Sequence, residues 1–420
     1  MRSLLLPMLL LAVLPLAGWT NAGQTVDIYR AEALVKNQSE AERNAAARAS
    51  FGELIIRVSG QRAAINHPAI QQALPNAQNY LFGFAYKSTT EKVTEGGTNV
   101  PATGLQLNFE PRAIEKLLRD AHLPLWPATR PKVLVWLVAK GPAGLRVVSQ
   151  PNDVQAMRAQ AVYRGLPLAF PQQDGEVAAN DLWSVNVEKI KAASLRYKAD
   201  AILVGRYTPS NSGPIPAPSS ATSEVIDNAN APLGSLGPWV GDWQLFHAGN
   251  VQSFTDETPE AGGLFASAID RAADYFANQY AITPTNQGPQ NIVLRVRNIT
   301  SFGAFKEVQR YLGELAMVQR MEVVTVTPEG LLVRLTAEGD TKLLLSTLAL
   351  GRRLVPDAGG VATVVNAPST SSADIDAEAM AELDQALASE QQNTAPQSIP
   401  ATAPAHAGTL EDPLIFVWQK

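Results

Sequence analysis

The chain reads as an α+β and α/β protein: a mixed-sheet α/β middle domain flanked by two small ferredoxin-like blocks of the β-α-β-β-α-β type. Three observations predict this. Strand-like and helix-like patterns alternate from residue 24 to residue 356. The same order, β-α-β-β-α, recurs at both ends of that span. The 420 residues include no cysteine, so apolar burial alone must hold the blocks together.

The first segment, 1–23, has the marks of a secretory leader. Arg2 precedes an apolar run over 4–17, and Thr20-Asn21-Ala22 supplies short residues for cleavage near Ala22 and Gly23. A spanning helix needs about 20 apolar residues; this run is shorter and broken by Pro7 and Pro15. With no cysteine to acylate, a lipoprotein is excluded. No later stretch is long and apolar enough to span, so the expected product is periplasmic, with no stable membrane span after cleavage.

The first block, 24–128, opens with a strand at Val26-Asp27-Ile28-Tyr29. Ser39 and Glu42 form an S-x-x-E box at a helix start. Ala47, Phe51, Leu54, Ile55 and Val58 share one face behind it, and Gly60 is the stop. Residues 80–86 and 105–109 read as strands, the second with strict alternation. Pro111 suits the first turn of a helix burying Ile114, Leu117, Leu118 and Ala121.

The middle domain, 129–285, starts with Val133-Leu134-Val135-Trp136-Leu137-Val138, apolar on both faces as a covered strand is. A helix over 187–197 leads into the buried strand 201–207. Residues 239–246 and 251–254 read as an antiparallel pair. Leu264, Phe265, Ala268, Ile269, Ala272, Phe276 and Tyr280 line a long amphipathic helix.

The last block, 290–356, has strands at 292–296, 321–326 and 331–335, with helices at 302–315 and 341–350. Gly104, Leu105, Leu107, Phe109 and Lys116 match Gly330, Leu331, Val333, Leu335 and Lys342 at constant offset. Similar architecture explains this better than duplication does. Residues 209–237 and 357–412 are low in apolar content and rich in proline, serine, alanine and glutamine or asparagine, the composition of linkers. A helix at 374–387 interrupts the second. Yet the chain closes on Pro413-Leu414-Ile415-Phe416-Val417-Trp418, which is strand-like. The expectation is that 413–418 returns as the missing last strand of the third block.

Four segments carry a family resemblance: the strand over 26–35, Ala199-Asp200-Ala201-Ile202-Leu203-Val204-Gly205, the pair Trp239 and Trp243, and the closing aromatic strand. Together they resemble an exported proteobacterial family catalogued as domain of unknown function 2066. The middle region is also similar to the amino-terminal domain of the Tol-Pal propeller protein and to curli-secretion lipoproteins. There a helix likewise runs into an Ala-Asp-x-Ile/Leu-Leu-x-Gly strand. The resemblance implies an envelope protein and brings no reaction or catalytic residue with it.

Residue chemistry narrows the function further. A net charge of −5, one unit more negative without Arg2, and the lack of a basic stripe argue against nucleic acid. Without cysteine, and with His67, His122, His247 and His406 on scattered segments, no metal cage or cofactor is expected. Ser59-Gly60 and Gly205 lack phosphate-loop spacing, and no G-x-S-x-G elbow exists. Asp174 with Glu176, or Asp181 with Glu188, lie in turns or at a helix start, where acids satisfy backbone amides. His67 and His122 border helix ends. Trp239 and Trp243, four apart, share one side of a strand. They serve either as a stacking platform, with Arg206 and Asp242 near, or as core under the helix 264–280.

The expected function is a non-catalytic accessory or scaffold of the bacterial envelope that binds another envelope protein. Trp239, Trp243 and Arg206 are its candidate interaction surface, and sheet edges are available for a partner strand. The alternative is a glycan- or peptidoglycan-binding module using Trp239 and Trp243.

Overall fold

The computed structural model describes residues 23–172, 175–210, 215, 224–225, 239–284, 288–357 and 408–419. The leader with Ala22, the helix expected over 374–387, His406, Asp174 and most of both linkers lie outside the described residues. The fold is α+β, with helices packed on mixed and antiparallel sheets. Among the described residues, no helix is long and apolar enough to cross a membrane.

Block one begins with β1 (Gln24–Thr25) and β2 (Arg30–Val35). The expected strand over 26–29 is instead the turn between them: Val26 N–H bonds Ala128 O, and the chain then swings onto a different sheet. Helix α1 (Glu40–Ser59) starts at Ser39, whose hydroxyl accepts from Glu42 N–H, and stops at Gly60 in the left-handed region. The short α2 (Pro68–Ala73) follows, then β3 (Leu81–Glu95), β4 (Thr98–Phe109) and α3 (Pro111–Asp120). The β3–β4 hairpin extends well beyond the alternating stretch, its outer part exposed on both faces and so without a periodic signal. The antiparallel sheet runs β2-β4-β3. Phe51, Leu54, Ile55 and Val58 of α1 meet Leu105, Leu107 and Phe109 of β4 in one core.

The middle domain comprises β5 (Thr129–Arg130), β6 (Val133–Gly141), β7 (Gly144–Val148), α4 (Gln155–Arg164), β8 (Leu168–Ala169), α5 (Ala179–Trp183) and α6 (Val187–Ser194). After these come β9 (Ala201–Pro209), β10 (Glu224–Val225), β11 (Trp239–His247), β12 (Asn250–Thr258) and α7 (Ala261–Tyr280). The sheet order is β10-β12-β11-β9-β6-β7, with β8 also paired to β6. Helices α4 and α7 cover one face; α5 and α6 cover the other. Helix α4 escapes sequence reading because its buried residues, Met157, Ala161 and Arg164, make too thin a stripe.

Block three holds β13 (Gln290–Arg297), α8 (Phe302–Gly313), β14 (Val318–Thr327), β15 (Gly330–Ala337), α9 (Thr341–Gly351), β16 (Leu354–Pro356) and β17 (Leu414–Trp418). Its sheet order is β14-β15-β13-β17-β16. The terminal strand therefore joins this sheet in an unexpected place. The outer, sixth position of the ferredoxin-like order belongs to β16, and β17 is inserted between β13 and β16. It runs parallel to β13 and antiparallel to β16. Alternation explains the fit, since Leu414, Phe416 and Trp418 all face the core. Block one has no counterpart of either strand among the described residues: the outer edge of β2 is unpaired.

The three blocks touch one another. Leu125 and Ile282 exchange backbone hydrogen bonds of 2.9 and 2.7 Å. Arg119 pairs with Glu338 at 3.2 Å, and Arg352 pairs with Asp200.

Candidate functional site

Residues singled out in the sequence land mostly in the interior. Trp243 is fully buried, stacked on Phe254 at 6.3 Å between ring centroids and edge-on to Phe265. Gly205 on β9 makes room for it: a Cβ there would lie 2.2 Å from the indole. Trp239 is half-buried against Tyr207 at 6.0 Å. The two indoles share a strand face but form no platform, because α7 covers that face. Arg206 is only 1% exposed, so it too drops out of the interaction surface. Its Nε and Nη2 donate to Asp242 Oδ1 at 3.0 and 2.6 Å, and Nη1 donates to Trp183 O. Asp242 thus compensates a buried charge that would otherwise be costly.

The remaining candidates are structural as well. Asp181 accepts from Ala178 N–H and pairs with Lys189. His67 borders a helix end as expected: its Nδ1 accepts from Ala69 N–H, capping the start of α2. Asp200, in the Ala-Asp-Ala-Ile segment, accepts from Lys132 N–H at 2.8 Å and binds Arg352; burial raises its carboxyl above the usual range. No sequence pattern marks His247 as more than one of four scattered histidines. Its ring lies between the hydroxyls of Tyr275 (3.2 Å) and Tyr280 (3.0 Å), and burial lowers it from 6.5 to about 4.

Three buried arginines join block one to the middle domain, and no sequence motif marks them. Arg130 is fully buried and uses all five guanidinium N–H groups on backbone carbonyls. Nε reaches Pro127 O; Nη1 reaches Arg164 O and Gly165 O; Nη2 reaches Arg57 O and Trp126 O, all within 2.7–3.1 Å. Its carbon lies 3.7 Å from the Trp126 ring centroid. Two of the acceptor segments are the carboxyl ends of α1 and α4, where helix dipoles favour a cation. Burial, then Arg57 and Arg164, push the Arg130 guanidinium well below its ordinary value, yet this group keeps its proton at neutral pH.

Beside this junction opens a cleft of about 810 Å³. One wall is the segment 24–32, including the start of β2; the other is α4 with Val162 and Tyr163. Arg57, at the end of α1, lies between the walls. Its Nη1 donates to Arg30 O at 2.9 Å and its Nε to Tyr163 O at 3.3 Å. Among the described residues Nη2 has no hydrogen-bond partner, although Arg57 is only 6% exposed. Asp27, Glu32, Glu53, Arg30 and Arg158 complete the charged lining. A smaller cavity of about 430 Å³ along α7 is crossed by ion pairs from Arg62 to Asp270 and Asp274.

The backbone of β2 makes this cleft a receptive one. Phe109 N–H bonds Tyr29 O, so residues 31, 33 and 35 turn their backbone groups toward β4. Arg30, Glu32 and Leu34 then present theirs outward. The arrangement suits recognition of extended backbone; among the described residues no three His, Asp or Glu side chains converge as a metal site.

The fold and cleft define a three-block α+β protein with a strand edge that is unpaired among the described residues, at an interblock junction. The family described as Domain of unknown function (DUF8605) matches residues 22–127, which is block one and the start of the linker to the middle domain. No curated protein matches the chain.

Proposed function

We propose that this chain is exported by a cleaved leader and works in the periplasm as a non-catalytic scaffold that binds another envelope protein. Kinship with the exported family catalogued as domain of unknown function 2066, and with envelope-machine domains of the Tol-Pal and curli-secretion kind, belongs to the same reading. The observation that carries it is the outward-facing edge of β2 along the interblock cleft. An exposed edge offers backbone donors and acceptors to an incoming strand, and the second wall offers side-chain contacts.

A photo-crosslinking amino acid placed at Val162 on the cleft wall tests this in cells. Val162 is 71% exposed; Phe302, 73% exposed on block three, serves as the comparison site. The expected result is a reproducible protein adduct from position 162 and none from 302. Absence of an adduct at 162 in envelope fractions that hold the chain would overturn the reading.

A further inference from the structure

We infer that the open position beside β2 receives the carboxyl-terminal segment of the partner as an antiparallel strand, with its terminal carboxylate on Nη2 of Arg57. This deepens the scaffold reading above and rests on it.

Block three supplies an internal precedent. Its order of first strand, helix, hairpin and helix is that of block one: β13-α8-β14-β15-α9 against β2-α1-β3-β4-α3. In block three the position beside the first strand is filled by β17, which runs parallel to β13, so the precedent bears on occupancy and not on direction. In block one that same position is empty among the described residues, and the cleft lies there. Glu32 turns its N–H and C=O groups into the cleft, and Leu34 continues the same outward edge beyond it. The other edge of this sheet, β3, is a less receptive template. It carries register shifts near Gly83 and between Ser88 and Lys92, with Lys87 and Lys92 along it, devices that discourage pairing.

Arg57 sets direction and terminus. Its Nη1 already occupies Arg30 O, so the available edge closes at that residue. A strand antiparallel to β2 brings its carboxyl end to this closed point. A parallel one would bring an amino terminus against the guanidinium. A carboxylate fits the planar fork of an arginine and forms charge-assisted hydrogen bonds with it. Glu53 and Asp27 act on the Arg57 guanidinium itself and favour a basic side chain near the segment's end, while Glu32 favours another farther along.

The experiment uses the mature full chain and a random-peptide library displayed with free carboxyl termini. An enriched peptide is then made as the free acid and as the amide. The expected loss on amidation is about tenfold or more, since a hydrogen bond to a charged group contributes about 1.5–3 kcal/mol. Glu32→Pro, which removes an outward N–H, abolishes binding, whereas Glu32→Ala retains it. A thermal melt of each variant confirms folding. Equal affinity of acid and amide, binding indifferent to Glu32→Pro, or no enrichment at all overturns the inference. If Val162 still crosslinks a partner in that event, the scaffold reading survives and only the carboxyl-terminal mode falls.

Discussion

Arg57 and Arg164 each cap the helix that carries the other. Arg57 Nε donates to Tyr163 O in the last turn of α4, and Arg164 Nη2 donates to Gly60 O at the end of α1. Arg164 also holds Asp270 and Asp274 of α7 at 2.7 and 2.6 Å. With Arg130 between them, two helix ends from two blocks share one set of cations. The cleft beside β2 is therefore built on a fixed junction, and its walls keep their spacing.

Arg130→Met tests that junction. The substitution leaves five carbonyls without their common donor in a fully buried place. A buried acceptor left unsatisfied costs about 1–3 kcal/mol. Urea denaturation should show the loss, and limited proteolysis should show the linker at Trp126 opening first. Arg130→Lys, with three donors in place of five, should recover only part of the stability.

Gly205→Ala should destabilise the middle domain without touching any surface. The new Cβ would meet Trp243 at 2.2 Å and Leu137 at 2.6 Å, an overpacking that costs about 1–3 kcal/mol. Trp243→Ala should cost about 3–5 kcal/mol as a cavity, and Trp239→Ala, at a half-buried site, clearly less. A thermal melt of the three variants checks the order. A Trp243→Ala protein as stable as the wild type would mean that the indole is not core.

The terminal strand should be needed for the third block. Truncation after Asp412 removes β17 from between β13 and β16 and exposes Leu294, Val296 and Leu354. Block three should then become sensitive to protease while block one stays resistant. Equal resistance of both blocks would contradict the placement of β17.

His247 should give the folded protein a slope of stability with pH. Its folded value, about 4, lies below the ordinary 6.5, so the unfolded chain binds the proton first as pH falls. The contribution is complete above pH 6.5 and is lost between 6.5 and 4. Its size is about 3 kcal/mol at most. His247→Gln should flatten that part of the curve, as read by denaturation midpoints across the range. An unchanged slope would show that the ring titrates alike in the folded and unfolded chain.

Local signals made much of this architecture legible. The Ser39 cap, Gly60 stop and apolar face predict α1, and Val133 to Val138 predict a covered strand. The alternation of Leu414, Phe416 and Trp418 predicts a returning strand because its information is carried within five residues. The helix face and strand face of each block are periodic properties, and periodicity is written in the chain itself.

What the chain does not write locally, only packing decided. Which neighbours β17 joins depends on a position left open beside β13, not on β17. Trp243 is core instead of surface because α7 lies over β11. Arg57, Arg130 and Arg164 read in the sequence as ordinary charged residues, since most of their acceptors are backbone carbonyls, which every residue has and no motif marks. The open edge of β2 follows from a strand that block one lacks among the described residues. Class and most elements came from the sequence; the cleft came from three segments brought together across the fold.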